Sequence, residues 1–172
     1  MLLIQISGAV MILGSSLMWG VYMASKPYFR LKDLREMKRA FAVLISEIDY
    51  GQSPLQEAAQ NIASKSAIPA AGIFKHLSAG LLGKADVWEL WNEAIESSKR
   101  DSYFSAEDLE IFKSFGKTLG YLDREMQVRN IDMQIDYINQ KTEELEKIRE
   151  KSRKMYLSLG VLGGLMAVIL LI

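Results

Sequence analysis

The distribution of charge along the chain constrains its fold more than any other feature of the sequence. Residues 1–25 and 155–172 carry no charged side chain, so the 21 basic and 21 acidic residues all lie between Lys26 and Lys154. A helix needs about 20 predominantly apolar residues to cross a bilayer. The sequence therefore predicts a transmembrane helix at residues 2–24, a polar domain over residues 27–153 and a second transmembrane helix at residues 155–172.

Each apolar end has a competing interpretation. A cleaved secretory signal needs a basic start and a small-residue cleavage site, but no basic residue precedes Lys26 and the run ends Val21-Tyr22-Met23-Ala24. A buried helix of a soluble core is the alternative for the second end, although Ser158 is the one polar side chain between Leu157 and Ile172. We favour two retained membrane helices.

Charge next to the apolar ends predicts an orientation. Residues 26–39 contain six basic and two acidic side chains, and residues 147–154 contain five and one. Lys and Arg next to a membrane helix are retained on the cytoplasmic side, so we expect an integral membrane protein with a cytoplasmic central domain and both termini extracytoplasmic. Residues 40–146 hold 10 basic and 18 acidic side chains, and this acidic body argues against nucleic acid as a partner.

Small residues recur at four-residue spacing in both apolar ends. Such positions let helix backbones approach closely in lipid, and we predict helix packing at Ser16, Gly20, Ala24, Gly160 and Gly164. The alternative is that glycine is simply common in membrane helices.

The central region shows helical periodicity and no strand-like alternation. Turn and cap residues divide it into six segments: Gly51, Gly83 and Gly120 end helices, and Ser53, Asp86, Ser105 and Asp123 begin them. The fold-class prediction is all-α: a compact six-helix antiparallel bundle flanked by the two transmembrane helices, with the last bundle helix continuous with the second span.

Residues that carry chemistry are few. The chain has no Cys and one His, His76, which excludes disulfides and thiolate metal sites. Gly116-Lys117-Thr118 resembles the end of a phosphate-binding loop, but Ile111 stands where that loop needs glycine. We interpret the carboxylates at 107–110 and 143–146 as solvated faces and helix caps, with Asp108 capping together with Ser105. We interpret His76 as a rim residue, and Trp88 and Trp91 as core. We predict no enzymatic activity, cofactor or metal.

Two motifs carry a resemblance to a known family. Glu47–Leu55 reads EIDYGQSPL and is followed by Glu57-Ala58, and Phe115–Gly120 reads FGKTLG and is followed by Asp123-Arg124. Together with the arrangement of the apolar ends, these residues resemble the stage III sporulation protein AB family of endospore-forming bacteria. The likeness covers essentially the whole chain.

The resemblance implies membership in the complex that joins the mother cell to the engulfed forespore. It also implies a central domain similar to the cytoplasmic F domain of type II secretion and type IV pilus platform proteins, which contact a cytoplasmic ATPase. Platform proteins typically have two such domains, so self-association of this one-domain chain stays open. The expected location is the mother-cell membrane around the forespore.

Three functions follow from these observations. We expect a non-enzymatic platform that couples a cytoplasmic ATPase to other proteins of the sporulation channel complex. The alternatives are a membrane-anchored adaptor or signalling bundle, and an enzyme at the membrane surface. The candidate partner-binding residues lie in the two motifs, where they either contact a partner protein or form the turns and caps of the fold. They are Gly51, Gln52, Pro54, Gly116, Gly120 and Asp123.

Overall fold

The computed structural model describes the chain apart from residues 1, 52–53, 84–85, 120–122 and 172, and toward both chain ends it describes the helix backbone but few side chains. Within the described residues the structure has six α-helices and one short π-helix, Glu47–Gly51, and no strand. The α-helices are α1 (Leu2–Ser46), α2 (Leu55–Lys65), α3 (Ala70–Leu81), α4 (Val87–Ser98), α5 (Ala106–Gly116) and α6 (Arg124–Leu171).

The fold-class prediction is correct in its six helices and wrong in its two transmembrane helices. Across the part of the chain that the structure describes, no helix combines the length and the apolar character needed to cross a membrane. The predicted continuity of the last bundle helix with the second apolar end is confirmed, because α6 runs from Arg124 to Leu171. The first apolar end is likewise not a separate helix but the start of α1, which continues into charged sequence. The prediction that both termini are extracytoplasmic depended on these spans and therefore has no support.

The chain divides into two compact units. One consists of Met1–Phe29 and Glu144–Ile172, and the other of Arg30–Glu143. The domain limits predicted from the sequence, 2–24, 27–153 and 155–172, remain predictions. Ser16, Gly20, Ala24, Gly160 and Gly164 lie in α1 and α6 at positions whose side chains fall outside the described ones, so their packing role is also untested.

The Arg30–Glu143 unit has an aromatic core. Trp91 of α4 is fully buried, and its indole ring lies 5.5 Å from Phe74 and 5.4 Å from Phe115, measured between ring centroids in edge-to-face geometry. Phe41 of α1 lies 5.2 Å from Phe115. Edge-to-face pairs of this kind add to the stabilisation from burial alone. The core thus ties α1, α3, α4 and α5 together.

Helix α6 completes this core with fully buried Ile131 and Ile138. The predicted stripe along it is confirmed at these two positions, because residues seven apart lie on the same side of a helix. The prediction for Trp88 is wrong: its ring is 37% exposed, since α4 turns Leu90 and Trp91 inward instead.

The helix starts follow the predicted caps closely. The Asp86 carboxylate accepts hydrogen bonds from the N–H groups of Trp88 (2.8 Å) and Glu89 (3.2 Å). Ser105 and Asp108 form a reciprocal capping box at the start of α5. Pro54 immediately precedes α2 rather than occupying its first turn, and the predicted cap Ser53 lies outside the described residues.

Candidate partner-binding site

The two motifs that carry the family resemblance meet in the structure. Arg124, the first residue of α6, places its Nε 3.3 Å from Oδ1 of Asp49 in the π-helix. The Arg124 guanidinium also donates to the backbone carbonyl of Asp49. We refer to this contact, with the chain on either side of it, as the motif junction. Residues 75 positions apart thus come together at the surface.

The motif junction is exposed to solvent. The Arg124 side chain is 57% exposed and the Asp49 side chain 37%. An ion pair in such a position contributes on the order of 0–1 kcal/mol to stability because water and salt screen it. The contact orients the start of α6 against the π-helix while leaving both charged groups accessible to another protein.

A second contact holds the π-helix in place. The Asn61 side-chain amide of α2 donates to the carboxylate of Glu47. The π-helix is therefore held by α2 on one side and by α6 on the other. A π-helix is uncommon in proteins and is found frequently at functional sites, and this one lies within the first motif.

The six predicted site residues divide into four groups, of which the first two are as follows. Gln52 and Gly120 lie outside the described residues. Gly51 ends the π-helix, and Pro54 is exposed with its carbonyl accepting from the N–H groups of Glu57 (2.9 Å) and Ala58 (3.1 Å). Both positions therefore fit the predicted joint between α1 and α2.

Asp123 acts as a helix cap. Its Oδ1 accepts a hydrogen bond of 2.9 Å from the N–H of Met126, and its carbonyl accepts from Gln127 at 2.9 Å. This side chain satisfies a backbone donor that the first turn of α6 leaves unpaired. The predicted cap is confirmed, and Asp123 positions Arg124 at the junction.

Gly116 packs closely against the Trp91 ring in the core. A Cβ atom added there would lie 2.3 Å from Cδ1 and 2.8 Å from Cγ of Trp91. The Trp91 ring is fixed in turn, because its Nε1 donates a 2.6 Å hydrogen bond to the carbonyl of Phe112. The Gly116 position therefore requires glycine for close packing, and Gly116 is buried, away from any partner.

The most elaborate polar cluster in the unit is not one that the sequence predicted. Arg30 of α1 donates from Nε to Oδ2 of Asp108 at 2.8 Å and from Nη2 to Oδ1 at 2.9 Å. The Tyr137 hydroxyl of α6 donates to Oδ1 of Asp108 at 2.8 Å, and the Ser105 N–H donates to Oδ2 at 2.7 Å. We call these four residues the buried cluster, since Asp108 has no exposed surface.

Electrostatics show how the cluster tolerates a buried charge. Burial by itself would raise the pKa of Asp108, but the hydrogen bonds from Arg30, Ser105 and Tyr137 outweigh it and hold that pKa below its usual range. Burial, and then the hydrogen bond to Asp108, raises the pKa of Tyr137. Asp108 is thus an ionised anchor that joins α1, α5 and α6.

Two sequence interpretations need correction here. Asp108 was assigned to a cap and to a solvated face; the cap is confirmed, but the face is wrong, because the side chain is buried against Arg30 of α1. Arg30 was counted among the basic residues beside the first apolar end, but its guanidinium pairs with Asp108. The capping pattern signalled a local role for Asp108, whereas no local pattern relates it to a residue 78 positions away.

The structure also shows the surroundings of His76 and Thr118, two residues that the sequence analysis considered for chemistry. His76 is exposed as predicted, with Nε2 3.6 Å from a Glu93 carboxylate oxygen. The Thr118 hydroxyl donates to the carbonyl of Phe115 at 2.8 Å, in a turn that follows α5 rather than in a loop that follows a strand. Among the described residues there is no group of three or more His, Cys, Asp or Glu side chains that could hold a metal ion.

Known proteins resemble this chain over most of its length. The family model described as "Stage III sporulation protein AB" matches residues 5–172. A Bacillus subtilis (strain 168) protein named "Stage III sporulation protein AB" is 30% identical over 170 residues, which are 98% of this chain and 99% of that protein. A solved structure of "Stage III sporulation protein AB (SpoIIIAB)" superimposes with a TM-score of 0.66 at 27% identity, covering 72% of this chain and 98% of that one.

Proposed function

Because the chain belongs to the stage III sporulation protein AB family, we propose that it is a non-enzymatic platform in the sporulation channel complex. In this role it couples a cytoplasmic ATPase to other proteins of the complex at the mother-cell membrane around the forespore. The observation that carries the proposal is the motif junction. It brings the two motifs of the family resemblance together at an exposed surface, through Asp49 and Arg124.

The chemistry of the junction suits protein recognition. It offers an exposed guanidinium, an exposed carboxylate and the ends of two helices within one surface. Arginine is enriched in protein interfaces, where its planar fork forms several hydrogen bonds at once. A partner that supplied a carboxylate to Arg124 would compete with a weak, screened ion pair and with one hydrogen bond to the Asp49 carbonyl.

Membrane association is the second part of the proposal. In the unit formed by the two chain ends, large apolar side chains are open to their surroundings, among them Met18 (76% exposed), Trp19 (67%), Leu162 (63%) and Met166 (68%). Contiguous exposed apolar surface is typical of membrane or protein contact sites. We propose that this unit contacts the membrane or apolar surfaces of membrane partners, while the Arg30–Glu143 unit faces the cytoplasm.

Photo-crosslinking in sporulating cells tests the ATPase contact. A photoreactive amino acid is placed at exposed Glu57 or Lys117, one in each motif region, and a matched control probe at exposed Lys75 of α3. We expect a crosslinked ATPase from one or both motif probes and none from the control, with mass spectrometry identifying the product. Failure of both motif probes to capture an ATPase, at normal protein level, would favour the adaptor function instead.

A further inference from the structure

A cavity lies outside both motifs, around the start of α3 and the end of α4. Its volume is about 200 Å³, and an engineered cavity of about 150 Å³ is enough to bind benzene. Its apolar lining comes from Ile68, Pro69 and Ile73. Gly72 also lines it and faces open space, because no atom lies within 4 Å of a Cβ added there. This α3–α4 cavity therefore has room for one side chain of another molecule.

Hydrogen bonds to α1 hold the two chain segments that border the cavity. In the segment between α2 and α3, the Ala67 N–H donates to Oε2 of Glu36 at 3.4 Å. In the segment between α4 and α5, the Tyr103 N–H donates to Oδ2 of Asp33 at 2.7 Å. A site that is already formed before binding saves part of the cost of ordering an interface. The cavity thus belongs to the folded unit.

The polar side of the α3–α4 cavity is rich in acceptors. Asp101 lines it, is exposed, and forms no ion pair with any residue that the structure describes. The Asp101 N–H donates to the carbonyl of Ser98, the last residue of α4, at 3.1 Å. Ser97 and Ser98 line the cavity as well, and the last carbonyls of a helix carry partial negative charge. An anionic group and a helix end thus lie beside the apolar wall.

The basic residues that follow α4 lie outside the lining of the cavity. Lys99 and Arg100 come directly after the helix but are not among the described residues that line it. The Lys99 ammonium pairs with the carboxylate of Glu96. Residues 40–146 hold 10 basic and 18 acidic side chains, so a second copy of this chain would bring like charge to the cavity. The charge of the unit therefore favours a different, basic protein as the partner.

We propose that the α3–α4 cavity receives an arginine side chain from a basic partner protein, at a surface separate from the motif junction. The methylene stem of arginine packs on apolar surface while its charged end stays among polar groups, and the cavity offers both, at Ile73 and at Asp101. The planar guanidinium donates two parallel hydrogen bonds to one carboxylate and keeps further N–H groups for helix-end carbonyls. Lysine lacks this fork. Arginine is also among the residues that dominate the binding energy of protein interfaces.

A small mimic of the arginine side chain tests the chemistry of the cavity. The purified full-length protein, labelled at its isoleucine methyl groups and kept in mild detergent, is titrated with n-butylguanidinium and followed by NMR. We expect saturable shifts of the Ile68 and Ile73 methyl resonances and none for Ile138, which is buried in α6. Pentanoate, of similar length and opposite charge, should leave all three unchanged. Absence of a saturable shift, or equal binding of pentanoate, overturns the proposal.

Variants of the cavity separate charge from shape. Asp101→Asn keeps the shape and removes the charge, so we expect the affinity for n-butylguanidinium to fall about fivefold or more. Gly72→Leu should abolish binding by filling the cavity, whereas Gly72→Ala adds one methyl group in open space and should bind as the wild type does. Unchanged far-UV circular dichroism and melting temperature establish that each variant folds. Wild-type affinity in folded Asp101→Asn or Gly72→Leu overturns the proposal.

Photo-crosslinking in sporulating cells tests whether a protein supplies the arginine. A photoreactive amino acid replaces Ile68, whose side chain is 65% exposed beside the cavity, and mass spectrometry sequences the captured peptide. We expect a peptide of another protein that contains an arginine, and loss of the product when alanine replaces that arginine or when Asp101→Asn is introduced here. No product, a peptide from a second copy of this chain, or an arginine that can be replaced without loss overturns the proposal.

Discussion

Two polar links join distant parts of the sequence within the Arg30–Glu143 unit, and they differ in burial. In the buried cluster, a half-buried guanidinium meets a carboxylate with no exposed surface, Arg30 with Asp108. In the motif junction, both partners are open to solvent, Arg124 with Asp49. The first link leaves a costly buried charge if it is broken, whereas the second contributes little to stability. The comparison separates a link that maintains the fold from a link that is free to serve recognition.

The largest expected effect comes from breaking the buried cluster. Replacing Arg30 with Met leaves the Asp108 carboxylate buried without its cation, and we expect the free energy of unfolding to fall by about 3 kcal/mol or more. Urea denaturation followed by circular dichroism measures the change. Lys113→Met is the matched control: it also removes a cation that pairs with carboxylates, but its partners Glu96 and Glu110 are exposed, whereas Asp108 has no exposed surface.

A fall of equal size in the Lys113→Met control would contradict the role assigned to burial, because that variant also removes a cation from carboxylates. We expect the control to lose much less stability than Arg30→Met, because water and salt screen an exposed ion pair.

The next effect concerns a motif residue that belongs to the core. Gly116→Ala drives a methyl group into the fixed Trp91 ring, and overpacking of this kind costs about 1–3 kcal/mol. Gly72→Ala is the control, since no atom lies within 4 Å of the added Cβ in α3, and there we expect a gain of about 0.5–1 kcal/mol. A stable Gly116→Ala protein would show that Trp91 moves, and thereby remove the structural reason for glycine in this motif.

The pH dependence of stability should distinguish Asp108, in the buried cluster, from a second buried carboxylate, Asp33. The pKa of Asp108 is lowered in the folded protein, so its stabilisation is present above the unfolded-state value of about 3.9 and is lost as the pH falls through the folded-state pKa. The stability difference between wild type and Asp108→Asn should therefore shrink below about pH 4.

Asp33 should behave in the opposite way. Burial raises its pKa, an effect only partly offset by the 2.7 Å hydrogen bond from the Tyr103 N–H and by Lys32. The wild type should lose stability relative to Asp33→Asn as the pH rises through that raised pKa. Equal pH dependence in the two Asn variants would contradict the contrast between a buried carboxylate whose pKa is lowered by its partners and one whose pKa is raised by burial.

The sequence allowed prediction of those features that depend on local pattern. The six helices, the caps at Asp86, Ser105 and Asp123, and the burial of Trp91 follow from periodicity and from short-range hydrogen-bond chemistry. Two predictions of this kind were wrong: the burial of Trp88, and the two transmembrane helices, for which no helix within the described residues qualifies.

The features that escaped prediction depend on pairs far apart in the chain. Arg30 and Asp108 are separated by 78 positions, and Asp49 and Arg124 by 75. The sequence identified both motifs without indicating that they meet, because only the tertiary packing of α1, α5 and α6 brings them together. Gly116 was similarly recognisable as a motif residue, but its reason, the Trp91 ring, is a contact between helices.

The most direct test of this account measures spore formation and protein level together for Arg124→Ala in a spore-forming host that lacks its own copy. We predict a sharp loss of spores at normal protein level, since the variant costs about 1 kcal/mol or less of stability. Arg129→Ala, which removes another exposed arginine from the same helix, should sporulate as the wild type, and Arg30→Met should lose the protein itself. Normal sporulation of Arg124→Ala, or loss of that protein from the cell, would contradict a recognition role for the motif junction.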